Sequence, residues 1–72
     1  MRITCTWYTA QGAEIETRNY PTVQEAYRAL VHFKRWAHVY PEGSTEGLYI
    51  WRPAADNTLR ALETRLKNPQ AA

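Results

Sequence analysis

The segment Pro21–Tyr40, PTVQEAYRALVHFKRWAHVY, constrains the fold more than any other. It is the only stretch long and periodic enough to specify an amphipathic helix on its own, so the remaining elements are expected to pack around it. Thr22 is a favourable N-cap, and Glu25 three positions later completes a capping-box pattern, in which the Thr22 hydroxyl takes the Glu25 N–H and the Glu25 carboxylate returns to Thr22. Pro41 supplies a stop, because a residue preceding proline is pushed out of the α region. At about 100° per residue, Val23, Ala26, Ala29, Leu30, Phe33, Trp36, Ala37 and Tyr40 fall on one broad arc. Gln24, Arg28, His32, Arg35 and Val39 fall opposite. The spacing therefore predicts one helix with a wide apolar face and a basic solvent face.

Before that helix, residues 2–9 (RITCTWYT) alternate with period two and are rich in β-formers, so they predict a strand with Ile3, Cys5 and Trp7 on one face and Thr4, Thr6 and Tyr8 on the other. Ala10–Ala13 reads as a turn in which Gly12 can take a positive φ. Residues 13–20 predict a second strand with Ala13, Ile15 and Thr17 inward and Glu14, Glu16, Arg18 and Tyr20 outward. After the helix, residues 41–47 have loop composition and Leu48–Trp51 a short strand's, with Leu48 and Ile50 on one face and Tyr49 and Trp51 on the other. Residues 55–67 suggest a second helix capped near Asp56, with Ala55, Leu59, Leu62 and Leu66 as a narrow apolar stripe.

The expected fold is a single α+β domain over residues 1–67, in the order ββαβα, with residues 68–72 as a frayed tail. A three-stranded, mostly antiparallel sheet would carry the long helix on one face, covering Ile3, Cys5, Trp7, Ile15, Leu48 and Ile50. A chain of 72 residues buries a marginal core. A single cysteine cannot form an internal disulfide, so three Trp and five Tyr, or a partner subunit, must supply the missing stability.

Chemistry-bearing patterns are few. His32 and His38 are six apart, about 240° around a helix, and cannot share an ion, and Cys5 is expected in the core, where burial suppresses its thiolate. Gly43 and Gly47 are not followed by the Lys-Ser/Thr of a phosphate loop, and the lone Ser44 has no positioned base. Glu14 and Glu16 lie on an open strand without a pocket to raise either pKa. No catalytic role, metal, cofactor or small-molecule substrate is expected. The chain has no 18-residue apolar run and residues 2–10 lack an apolar leader core, so a cytoplasmic location without membrane contact is expected.

Two binding surfaces remain. Tyr8, Tyr20, Tyr49 and Trp51 would stand together on the sheet face away from the helices, an aromatic patch suited to a protein partner or a homodimer. Glu14 and Glu16 on that face disfavour a phosphate backbone. Arg28, His32 and Arg35 would form the helix's basic face, suited to phosphates or an acidic protein surface. In size and element order the chain resembles small accessory proteins of phages, prophages and plasmids, many of which bind and block a host protein, anti-CRISPR proteins among them. That resemblance implies a non-enzymatic modulator or inhibitor of a larger partner. The alternative is a small nucleic-acid-binding regulator that uses the basic helix face.

Overall fold

The computed structural model describes residues 2–44 and 49–67. They form a small α+β unit in the order β1 (Ile3–Tyr8), β2 (Glu14–Tyr20), α1 (Val23–Phe33), β3 (Ala37–Pro41), β4 (Tyr49–Trp51) and α2 (Leu59–Lys67). The sheet is antiparallel throughout, in the order β2-β1-β3-β4. The first strand is therefore central: β2 and β3 flank it, and α1 carries the chain from one side to the other.

The opening hairpin forms as its sequence predicts. Gly12 adopts φ 88°, the left-handed conformation open to glycine, and its N–H donates to the Thr9 carbonyl at 3.0 Å. Ile3, Cys5 and Trp7 are buried on the helix side of β1. At the β1–β2 ladder's turn end the register slips between Trp7↔Glu16 and Tyr8↔Glu14, a β-bulge at Ile15.

The long helix begins where expected, with the Glu25 N–H donating to Thr22 Oγ1 at 3.2 Å, but it is shorter than the periodicity implies. It ends at Phe33. Lys34 takes the left-handed conformation (φ 53°, ψ 41°) and its N–H closes on the Leu30 carbonyl at 3.1 Å, a C-terminal cap built without glycine. Residues 37–41, expected within and just after the helix, form a fourth strand instead. Ala37-His38-Val39-Tyr40 alternates small or β-branched residues with ring-bearing ones, so the same four residues satisfy a strand pattern. Pairing with β1 (Cys5↔Val39, Trp7↔Ala37) buries Ala37 and Val39, whereas a prolonged helix would turn Val39 to the solvent side.

Two further faces are inverted relative to expectation. On β2, Glu16, Arg18 and Tyr20 pair with Trp7, Cys5 and Ile3 and so lie on the helix side, and Thr17 and Asn19 lie on the other. As an edge strand, β2 leaves its helix-side charges in solvent, and Ile15 is 43% exposed rather than core. On β4, Trp51 is 2% exposed and Ile50 is 53% exposed. Burying the larger ring wins, and a one-residue change of facing moves every side chain of a strand to the other side. Leu48 and the 68–72 tail lie outside the described residues.

The core joins Ile3, Cys5, Trp7, Val39 and Trp51 of the sheet to Ala26 and Leu30 of α1 and to Leu62 and Leu66 of α2. Trp7 is clasped edge-on by Tyr20 (ring centroids 6.1 Å apart) and by Phe33 (5.1 Å). Among the described residues the indole N–H groups of Trp7 and Trp51 find no acceptor, an unpaired-donor cost of about 1–3 kcal/mol each that ring burial offsets. The second helix starts later than its composition suggests. Thr58 Oγ1, not Asp56, caps it by accepting the Ala61 N–H at 3.2 Å. Both helices share one core and therefore lie on one side of the sheet.

Candidate functional site

With both helices on one side, the opposite face of the sheet is covered by none of the described residues. Alternation from the buried set decides what it presents: Thr4, Thr6 and Tyr8 from β1, Thr17 and Asn19 from β2, His38 and Tyr40 from β3, and Ile50 from β4. Cross-strand hydrogen bonds order these side chains. The Thr4 hydroxyl donates to Asn19 Oδ1 at 2.7 Å, and the Thr6 and Thr17 hydroxyls lie 2.9 Å apart. Flanked in this way, Thr4 and Thr6 are themselves buried, so the centre of the face is flat and its own polar groups are satisfied.

One end of the face is aromatic. The rings of Tyr8 and His38 are tilted against each other with centroids 4.6 Å apart, and the Tyr8 hydroxyl and His38 Nδ1 are hydrogen-bonded at 3.0 Å. The Tyr8 N–H continues the ladder to the Trp36 carbonyl at 2.9 Å, which brings Trp36 beside this pair. Trp36 is 51% exposed and Ile50 53% exposed, and with Tyr8, His38 and the Ala10–Gly12 turn they line a cleft of about 350 Å³. Large apolar side chains are thus held outward by the sheet beside a hydrogen-bonded Tyr–His pair. Formal charge on this face is low. Arg2 Nε and Glu42 Oε2 form an ion pair at 2.7 Å at the end remote from the cleft, and Glu14 stands opposite Tyr8 at the cleft end.

Of the four aromatics expected together, Tyr8 is on this face, and Tyr20 and Trp51 are not. Tyr20 lies on the helix side against Trp7, where burial raises its phenol pKa. Trp51 is in the core, and the backbone of Tyr49 pairs with Val39. The surface is instead completed by Trp36, His38 and Tyr40, residues that helical periodicity had absorbed. Their signal was the alternation of residues 37–40 and the exposure it forces on every second side chain.

The expected basic helix face is also changed. Arg28 and His32 are exposed on α1, and the His32 ring rests edge-on against Phe33 at 5.3 Å. Arg35 lies beyond the helix end, in the turn leading to β3, and lines clefts with Phe33, Trp36 and Ile15. The stripe is thus two helical residues, and Arg35 belongs to the rim of the aromatic end of the sheet.

Cys5 is fully buried, and desolvation pushes its thiol up to about 12, which keeps it protonated and unreactive. Among the described residues no cluster of His, Cys, Asp or Glu could hold a metal, and no helix is long and apolar enough to cross a membrane. No family model, curated protein or solved structure matches the chain.

Proposed function

We propose that the chain is a non-enzymatic protein-binding module that engages a larger protein through the uncovered sheet face and acts as its modulator or inhibitor. The observation that supports this most is the aromatic end of that face, where Trp36 and Ile50 project outward beside the ordered Tyr8–His38 pair. Outward apolar anchors on a rigid base desolvate on contact with little loss of side-chain freedom, the property that concentrates binding energy in a few residues. The near-neutral charge of the face favours a protein over a phosphate backbone, since sheets that read single-stranded RNA frame their aromatics with Lys and Arg.

The test is capture of a partner from nuclease-treated lysate, followed by binding measurements with the isolated partner. Trp36→Ala combined with Ile50→Ser should weaken that complex by at least about tenfold, and Arg28→Ala should not. Full binding by the double variant would overturn the assignment of the face. If nuclease removes all captured material and binding falls linearly in log K against log salt, the regulator reading that uses Arg28, His32 and Arg35 replaces it.

A further inference from the structure

The two edges of the sheet are unequal. The described β4 edge has three residues, and β2 has seven, Glu14–Tyr20, with no described element along its outer side. Which backbone groups that edge offers follows from the ladder. On β1, Tyr8 donates its N–H toward β3, and the Arg2 carbonyl accepts from Glu42, so even-numbered residues bond toward β3. In an antiparallel strand successive residues turn their N–H and C=O to opposite sides. Ile3, Cys5 and Trp7 therefore bond toward β2, and their partners Tyr20, Arg18 and Glu16 bond back. Thr17 and Asn19 are left with N–H and C=O pointing outward from the edge. No proline interrupts this strand, and its side-chain charges are one Glu–Arg pair, Arg18 Nε to Glu16 Oε2 at 3.2 Å, exposed on the helix side, with Glu14 at the bulged end.

We propose that two copies of the chain pair through their β2 edges, antiparallel and centred on Thr17, so that the two sheets become one. Charge complementarity selects this occupant and this register. With Thr17 opposite Thr17 of a second copy, each Glu16 stands opposite an Arg18 and each Arg18 opposite a Glu16. Sliding by one pairing step in either direction places Glu16 opposite Glu16 or Arg18 opposite Arg18, and like charges directly opposite are destabilising. Sliding toward Glu16 also sets Asn19 opposite Ala13, whose N–H and C=O are both taken by Thr9, whereas sliding toward Arg18 keeps Thr17 and Asn19 opposite each other, so there the charges alone decide. The two-fold axis runs through the sheet at Thr17. Both uncovered faces then lie on one side and all helices on the other, and because the same edge is used twice the assembly closes at two copies. This pairing stands on the β2 edge and is independent of what the uncovered face binds.

The test uses the full chain in sedimentation equilibrium over a concentration series. Wild type should approach twice the monomer mass as concentration rises. Glu16→Lys and Arg18→Glu each place like charges opposite at both ends of the seam and should each weaken self-association at least roughly tenfold. Both side chains are exposed, so circular dichroism and melting at concentrations where wild type is monomeric should stay near wild type. Mixed one to one, the two variants should restore the dimer as a heterodimer. At one end of that seam the introduced lysine of one copy faces the introduced glutamate of the other, and at the other end the native Arg18 and Glu16 still face each other. Thr17→Cys gives a second readout: opposite residues of an outward-bonded pair lie at about 5.5 Å between Cα atoms, within disulfide range, so oxidation should yield a covalent dimer. Wild type that stays monomeric at every concentration overturns the proposal. So does a dimer indifferent to both charge changes, or single variants whose mixture fails to associate.

Discussion

Trp51→Ala should be among the most damaging single changes in the chain, while Ile50→Ser beside it should be nearly silent. Trp51 is 2% exposed and packs within the core shared with α1 and α2, so truncation removes a large buried ring and leaves a cavity between sheet and helices. Such Trp-to-Ala changes cost about 3–5 kcal/mol. A 72-residue chain has roughly 4–11 kcal/mol of total stability at typical per-residue values, so the variant would retain little margin. Unfolding entropy near 2.1 cal/mol/K per residue gives about 0.15 kcal/mol/K for this length, and a loss of 3 kcal/mol lowers Tm by about 20 °C. Ile50 is 53% exposed, and its replacement by Ser should fall within about 0.5 kcal/mol. Thermal and urea melts followed by far-UV circular dichroism measure both. If Ile50→Ser proves the costlier change, or Trp51→Ala lies within the surface range, the facing of β4 and the uncovered side of the sheet are both wrong.

Thr58→Ala should cost about 1 kcal/mol by removing the α2 cap, and Asp56→Ala much less; equal costs in urea melts would refute Thr58 as the cap. Lys34→Gly should stabilise by about 1 kcal/mol, since a left-handed conformation is unfavourable for a residue with a Cβ; a lower Tm would refute it. Burial lifts the Cys5 pKa from 9.0 to about 12, so the folded state holds a proton that the unfolded thiol releases. Its contribution is complete below about pH 9 and is lost as pH climbs through about 12. The stability of wild type relative to Cys5→Ala should therefore shrink across that window in urea melts, and a constant difference would refute the placement of Cys5.

How much was legible in the sequence varied by element for physical reasons. On β1, Ile3, Cys5 and Trp7 alternate with Thr4, Thr6 and Tyr8, and a central strand under a helix must turn one of these sets toward the helices, so the sequence pattern and the facing coincide. The Gly12 turn and the Thr22 cap are local chemistry and were legible for that reason. The end of α1 was not, because Lys34 takes a conformation usually signalled by glycine, and Ala37 suits both a helical arc and a strand face. On β2 polarity could not identify the inner face, since an edge strand leaves Glu16 and Arg18 wet although they lie on the helix side. The uncovered aromatic end was half legible. Tyr8 was placed correctly, but Trp36, His38 and Tyr40 join it only once residues 37–41 become a strand.

The three tryptophans are distributed so as to separate two optical signals. Trp7 and Trp51 are sealed in the core, and Trp36 stands half exposed at the rim of the aromatic cleft. Emission from the sealed pair should be blue-shifted and resistant to acrylamide or iodide, and should change only when the chain unfolds. Trp36 should contribute the red-shifted, quencher-accessible fraction. A ligand that covers the cleft should protect that fraction and leave the other unchanged. The native chain thus carries an intrinsic reporter of occupancy at one end of the sheet, together with an internal reference for folding, and needs no added label.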